Sequence, residues 1–389
     1  MYMEQTTIQL LFKLVKTALT GEKLSQDEQA QYTAEQLPKL IQTAHKHDIA
    51  HLVVFGLKQN GLLSESEKKL EQYMHKAVYR YEGLRFEYGQ ICDTLEQAQI
   101  PFLPLKGSIL REYYPEAWMR TSCDIDVLVR RADWDNAIVQ LQNNLQYEET
   151  ERSTHDVSLF SPSGVHVELH FDLVEENCAN NAIDVLNRVW DDVTLRQGKS
   201  YHYEMSDAFF YFYHIAHMAK HFEVGGCGIR PFIDLWILDN LPNADTEKRM
   251  QLIEKSGLLQ FANVCQKLSR VWLGGEETDE ISMQMQAFLL HGGVYGSADN
   301  RVMLQQKKKG GKFGYIWSRM FIPYAKLKRY YPILEKHRWL TPIMQVRRWF
   351  MLLRPDVRKM AKKELRTNSN VEKSKAEEMH VFLDNIGLK

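Results

Sequence analysis

Nowhere do these 389 residues hold a long apolar run free of charge, so a helix of the roughly 20 apolar residues that a bilayer core demands is not expected. The N-terminal stretch has no secretory pattern either. Glu4 is acidic, the apolar residues behind it are interrupted by Lys13 and Lys16, and no small-residue cleavage pattern follows. Cysteine is scarce and unpatterned: Cys92, Cys123, Cys178, Cys227 and Cys265 are odd in number and scattered, which argues against a disulfide framework and for a reducing compartment. Net charge is almost missing, at −1. These absences lead to the expectation of a cytoplasmic globular protein of two or three domains.

The neutral total conceals a dipolar chain. Residues 301–366 contain 19 Lys plus Arg against 3 Asp plus Glu, net +16, which leaves net −17 on the rest. There, Lys307-Lys308-Lys309 precedes Tyr315, Trp317, Phe321, Tyr324, Trp339 and Trp349, mixing cations with amphipathic rings. Such a segment suits an anionic membrane surface, here the inner face, or a nucleic acid, or packing against the acidic remainder of the chain.

Most informative are the carboxylates in Ser122-Cys123-Asp124-Ile125-Asp126-Val127-Leu128-Val129 and Val165-His166-Val167-Glu168-Leu169-His170. On a strand, alternate side chains share a face, so Asp124 and Asp126 project together while Ile125, Val127 and Val129 pack opposite. Glu168 likewise stands opposite Val165, Val167, Leu169 and Phe171. Two such strands side by side gather three carboxylates, the hard oxygen donors that Mg²⁺ takes together with substrate phosphates. Upstream, residues 100–105 read as a buried strand that enters Lys106-Gly107-Ser108 and then a helix from Ile109, a turn that offers amide donors to phosphate. Each feature alone has a bland counterpart: Asp-x-Asp occurs on solvated strand edges, Lys106-Gly107-Ser108 is an ordinary strand-to-helix turn, and Arg120 is a surface side chain. Their combination carries the inference.

Leu105-Lys106-Gly107, Arg120, the 124–129 run and Val167-Glu168-Leu169-His170, with a weaker echo in His214, His217, His221 and Asp234, resemble the polymerase-beta-type nucleotidyltransferase superfamily. Within it they resemble a bacterial family of poorly characterised nucleotidyltransferases, over residues 100–238. Lys106 departs from the pattern, standing where a second small residue is common. The resemblance implies that Asp124 and Asp126 hold the metal that grips a nucleoside triphosphate such as ATP, with Glu168 completing a second metal site and serving as general base. Two Mg²⁺ ions, or Mn²⁺ in their place, would then activate the attacking hydroxyl and offset charge on departing pyrophosphate. Lys106, Gly107, Ser108 and Arg120 would bind phosphate, Arg120 through paired donors. The acceptor is not readable: small molecule, protein and RNA all stay open.

His214, His217 and His221 recur at helical spacing. A packed helix face and a zinc site are two readings, although no partner with zinc-ligand spacing accompanies them. The resemblance adds a third, in which a helical region closes over the cleft and His170, His214, His217, His221, Lys220, Arg230 and Asp234 line the substrate side.

Apolar periodicity at Ile8, Leu11, Phe12, Val15 and Leu19 predicts a first helix stopped by Gly21, with further helices over 35–47, 51–59 and 65–97. Helices are also expected over 207–222, 231–238, 245–255 and 260–272, interrupted by a flexible Gly225-Gly226-Cys227-Gly228 loop and by Pro242. The fold expected is α+β: a helical region 1–99, a small mixed catalytic sheet in 100–204, a helical substrate-side region 205–300, the basic aromatic region 301–366, and a linker and weakly attached tail 367–389. Two other classes fit Asp-x-Asp. One is a metal-dependent glycosyltransferase, disfavoured because helices rather than a nucleotide-binding α/β region precede the motif; the other is a non-catalytic nucleotide sensor or membrane adaptor.

Overall fold

A computed structural model of the chain describes residues 4–153, 155–174, 181–294, 296–371 and 373–388. At its centre, β1 (Phe102–Pro104), β2 (Asp124–Val129), β3 (Glu148–Arg152), β4 (Asp156–Phe160) and β5 (His166–His170) form a mixed sheet in the order β1-β2-β5-β4-β3. β2 and β5 are parallel and every other pairing is antiparallel. A parallel neighbour cannot be reached by a tight turn, and the connection is supplied by the Trp134–Leu145 helix and the β3–β4 hairpin. The fold is α+β, as expected.

Alternation assigns the two sheet faces to different tasks. Ile125, Val127 and Val129 join Val167 and Leu169 in an apolar layer, where Ile91 and Leu95 of the Gln72–Gln97 helix and Ile138 and Leu141 of the Trp134–Leu145 helix meet them. On the other face Leu128 enters a second, larger core, leaving Asp124 and Asp126 beside it to face a cavity. That larger core is helical. It unites the Gln5–Thr20 and Ala50–Gln59 helices with the Asp207–Val224, Arg230–Asp239 and Leu259–Ser269 helices. The predicted first-helix stripe is buried, and Gly21 ends the helix in a left-handed conformation with its amide on the Thr17 carbonyl. Residues 1–99 and 205–300 therefore share one interior rather than two, as the stacking of Phe12 on Trp272 at 4.1 Å illustrates.

Three expectations change. The helix over 65–97 is a 3₁₀ segment, Glu65–Glu71, followed by an α-helix, Gln72–Gln97. The glycine cluster is packed: a Cβ on Gly226, whose φ is +107°, would lie 2.8 Å from Phe288 Cε1, so only glycine fits this close approach. The tail is also firmly held. Residues 367–370 end the Pro355–Asn370 helix instead of forming a linker, and Phe382, Leu383, Ile386 and Leu388 are buried in the larger core. Because its apolar spacing is sparse and its flanks polar, that last helix looked marginal in isolation; its stability is tertiary.

Candidate active site

Strand register assembles the acidic site. Asp126 is the Cα partner of Glu168 across the parallel β2–β5 pair, and Asp124 is the partner of His166. The ligand atoms of Asp126, Glu168 and His170 lie within 4.8 Å of one another, as do those of Asp124, His166 and Glu168, so Glu168 bridges the two aspartates. All three carboxylates line one cavity of about 460 Å³ between the sheet and the helical core, a size that takes a small ligand. Next to them is a third group, His155, Asp156 and His170, with the same 4.8 Å closeness, formed because β4 places Asp156 opposite His170.

The electrostatics separate the two aspartates. Burial opposes ionisation of Asp126, but Lys106 and His170 beside it hold its carboxyl below the usual range: Lys106 Nζ donates to Asp126 Oδ1 at 3.1 Å, and His170 Nε2 lies 3.1 Å from the same oxygen. Asp124 moves the other way, raised by burial and by the negative charge of Asp126. For His170, burial disfavours the cation, yet hydrogen bonds to Asp126 and Glu168 raise it to about 9. At neutral pH the acidic face thus carries an ionised Asp126 between two cations.

The turn after β1 supplies one of those cations by an unusual backbone. Pairing with β2 brings the Leu105 amide onto the Asp126 carbonyl at 3.0 Å, and Lys106 then adopts φ 42° and ψ −113°, outside the regions favoured by a lysine. Such a conformation costs on the order of 1–3 kcal/mol, and here it aims Nζ at the carboxylates. Gly107 follows because a Cβ there would come within 3.1 Å of Ser122 Cβ. Ser108, expected to contact phosphate, is buried away from the cavity lining, and its amide is used by the Leu105 carbonyl at 3.2 Å.

Arg120 is likewise committed elsewhere than expected. Its Nε and Nη2 donate to Asp234 at 2.8 and 2.9 Å, and its Nη1 donates to the Thr121 carbonyl at 2.7 Å. Tyr114 adds a hydroxyl to the same carboxylate at 2.6 Å. The ion pair ties the segment before β2 to the Arg230–Asp239 helix. It keeps Asp234 ionised despite burial, because the Arg120 guanidinium faces it. Both residues touch the cavity, but the arginine's donors are engaged by protein.

The model of one protein family, described as an uncharacterised nucleotidyltransferase, matches residues 33–274. The chain belongs to that family. It is therefore a nucleotidyltransferase enzyme, and the family implies a nucleoside triphosphate substrate. No curated protein matches the chain. No solved structure matches it either. Neither a glycosyltransferase nor a bare adaptor agrees with this membership.

The helical wall of the nucleotidyltransferase comes mainly from the Asp207–Val224 helix, which brings His214, His217, Lys220 and His221 to the same cavity as the carboxylates. His217 and His221 approach at 3.2 Å between their Nε2 atoms, while His214 Nε2 lies 2.9 Å from the Pro231 carbonyl. Burial, reinforced by Lys106, holds His217 well below its ordinary pKa, so it is neutral at pH 7. Arg230 donates to Asp48 at 3.1 Å. Among the lining residues not anticipated from sequence are His47, His155 and Asp156. For His155 and Asp156 the signal was present, since Val157 and Leu159 alternate on a strand leading into β5. For His47 there was none. Its ring is fully buried at the cavity, and among the described residues neither of its nitrogens has a hydrogen-bond partner.

Proposed function

We propose that the enzyme transfers a nucleoside monophosphate from a triphosphate to an acceptor nucleophile, with release of pyrophosphate, at the Asp124, Asp126 and Glu168 face. The observation that carries this reading is the register of β2 on β5, which sets Glu168 within reach of both aspartates at one cavity. The donor set fits a divalent cation: carboxylate oxygens are what Mg²⁺ or Mn²⁺ takes. Asp124, Asp126 and Glu168 would hold the ions, which when bound neutralise triphosphate charge and acidify the attacking hydroxyl.

The chain's own residues then divide the remaining work. Lys106 is placed to exchange Asp126 for a phosphate oxygen as substrate enters, and His170 balances the carboxylates. Glu168, whose side chain is 26% exposed, takes the acceptor proton in this reading. His217, on the opposite wall beside His221, and His47, with two unsatisfied ring nitrogens, are held neutral by burial and supply donors and acceptors for the acceptor molecule. Arg120 and Asp234 act as a strut that sets the spacing of the two walls.

The test uses the full chain with each of the four α-labelled triphosphates, Mg²⁺ or Mn²⁺, and cell extract, read by mass spectrometry for a transferred nucleotidyl mass. Asp124→Asn, Asp126→Asn and Glu168→Gln are each expected to abolish cation-dependent pyrophosphate release while the circular dichroism spectrum stays unchanged. Full turnover in any of the three refutes the assignment.

A further inference from the structure

Beyond the active site, the exposed apolar surface is unevenly distributed. Among the described residues 14 of the 25 exposed large hydrophobic side chains fall in residues 301–366, a segment of 66 residues in 389. Monomeric proteins rarely gather apolar surface in this way without a partner for it.

The exposed residues are ordered. On the Gly311–Met320 helix, Phe313, Trp317 and Met320, with Phe321 at its end, follow one another at helical spacing, so they form one outward stripe, in which Phe313 is 89% exposed. A second helical run, Arg338–Leu340, Thr341–Phe350 and Met351–Leu353, presents Trp339, Ile343, Val346, Phe350 and Leu353, at steps of four, three, four and three. Trp339 is 72% and Leu353 75% exposed. The opposite side of this run is already satisfied by its own small core, in which Leu327, Leu334 and Met344 are buried. The two runs are joined: Trp349 Nε1 donates to the Met320 carbonyl at 2.8 Å, and the Phe321 and Trp349 rings lie 5.2 Å apart. Exposed Lys312, Arg338 and Arg347 flank the stripes.

We propose that this unit docks on the surface of an anionic lipid bilayer. Aliphatic and aromatic side chains in stripes, bordered by cations, are the chemistry of a helix lying in the headgroup region. Ile343, Val346 and Leu353 have no stacking face for a nucleobase, which weighs against nucleic acid as the occupant. The excess of 19 basic over 3 acidic residues in the segment opposes pairing with the same surface of a second copy. The contact is peripheral, since among the described residues no helix is long and apolar enough to cross a membrane.

The experiment is co-sedimentation of the full chain with phosphatidylcholine vesicles, with and without phosphatidylglycerol, at low and high salt. The expected result is at least ~10-fold tighter binding to the anionic vesicles, weakened by salt. The Trp317→Glu/Phe350→Glu variant, altered only at exposed positions, is expected to lose ~10-fold or more of that binding while its circular dichroism and nucleotide turnover are unchanged. Equal partitioning to both vesicle types overturns the proposal, as does undiminished binding by the double variant. A dimer in sedimentation velocity that the same substitutions dissolve assigns the stripes to a second copy, and an RNA oligonucleotide that displaces vesicles through these residues assigns them to nucleic acid; either result overturns it too.

Discussion

Replacing Asp234 by asparagine tests the strut directly. The carboxylate is fully buried and accepts three hydrogen bonds, from Tyr114 at 2.6 Å and from Arg120 at 2.8 and 2.9 Å. Asparagine keeps the volume but turns one acceptor into a donor facing a guanidinium, and it leaves the Arg120 charge without its counter-charge. Breaking one side of a buried pair costs about 3–5 kcal/mol. Arg120→Met leaves the carboxylate unpaired and is expected to cost a similar amount. The double variant Arg120→Met/Asp234→Leu removes both charges and should be destabilised by less than the sum of the two, with a coupling of at least ~2 kcal/mol. Urea unfolding followed by tryptophan fluorescence gives all three values. A loss below ~1 kcal/mol for Asp234→Asn, or strict additivity in the double variant, refutes the reasoning. The same double variant separates strut from phosphate ligand. If it folds and binds triphosphate with a KM within ~3-fold of wild type, the strut reading stands, whereas a ~100-fold rise, roughly the worth of a charged hydrogen bond, would return Arg120 to the phosphate.

Other outcomes follow from the site's electrostatics and packing. His170, raised in the fold to about 9 from 6.5, contributes stability that is fully present below about pH 6.5 and is lost as pH rises through about 9; urea midpoints of the cation-free protein should fall over that window, and His170→Gln should flatten the fall. Asp126, depressed in the fold by Lys106 and His170 after burial is overcome, acts in the opposite direction, its contribution present above about pH 4 and lost on acidification. Gly107→Ala should cost about 1–3 kcal/mol by pressing on Ser122, measured by the same unfolding assay, with an unchanged midpoint contradicting the close approach. Lys106→Met should weaken triphosphate binding by ~10-fold or more, read as a rise in KM, and no change in KM would remove Lys106 from the phosphate path.

How far the sequence could be read depended on the regularity of the backbone. Asp124, Asp126 and Glu168 were legible because a strand has a period of two, and the apolar residues between them fix which face is which. The α+β architecture and the helical walls followed from the same kind of periodicity. Residues 106–123 have no such rule. They pass through short turns at Gly107–Leu110, Arg111–Tyr113 and Ala117–Met119, where no spacing tells which way a side chain points, so neither the burial of Ser108 outside the cavity lining nor the pairing of Arg120 with Asp234 was legible. Arg120 finds its counter-charge 114 residues away, a partner that no local pattern names. The final helix was misjudged for a related reason, since it gains its stability from surfaces contributed by distant parts of the chain.

That final helix also sets the order in which the molecule can be completed. Ile386 and Leu388 fill space beside elements contributed by the N-terminal and middle helices, and Gln260 reaches across to the Asn385 carbonyl. Gln306 meanwhile grips Asn368 through two contacts at 2.9 and 2.8 Å, so the cationic stretch between them is a handle fastened at both ends. A chain still lacking residues 382–388 would leave this interior incompletely filled, and one cut within the handle would expose apolar surface at the centre of the enzyme as well as losing the handle.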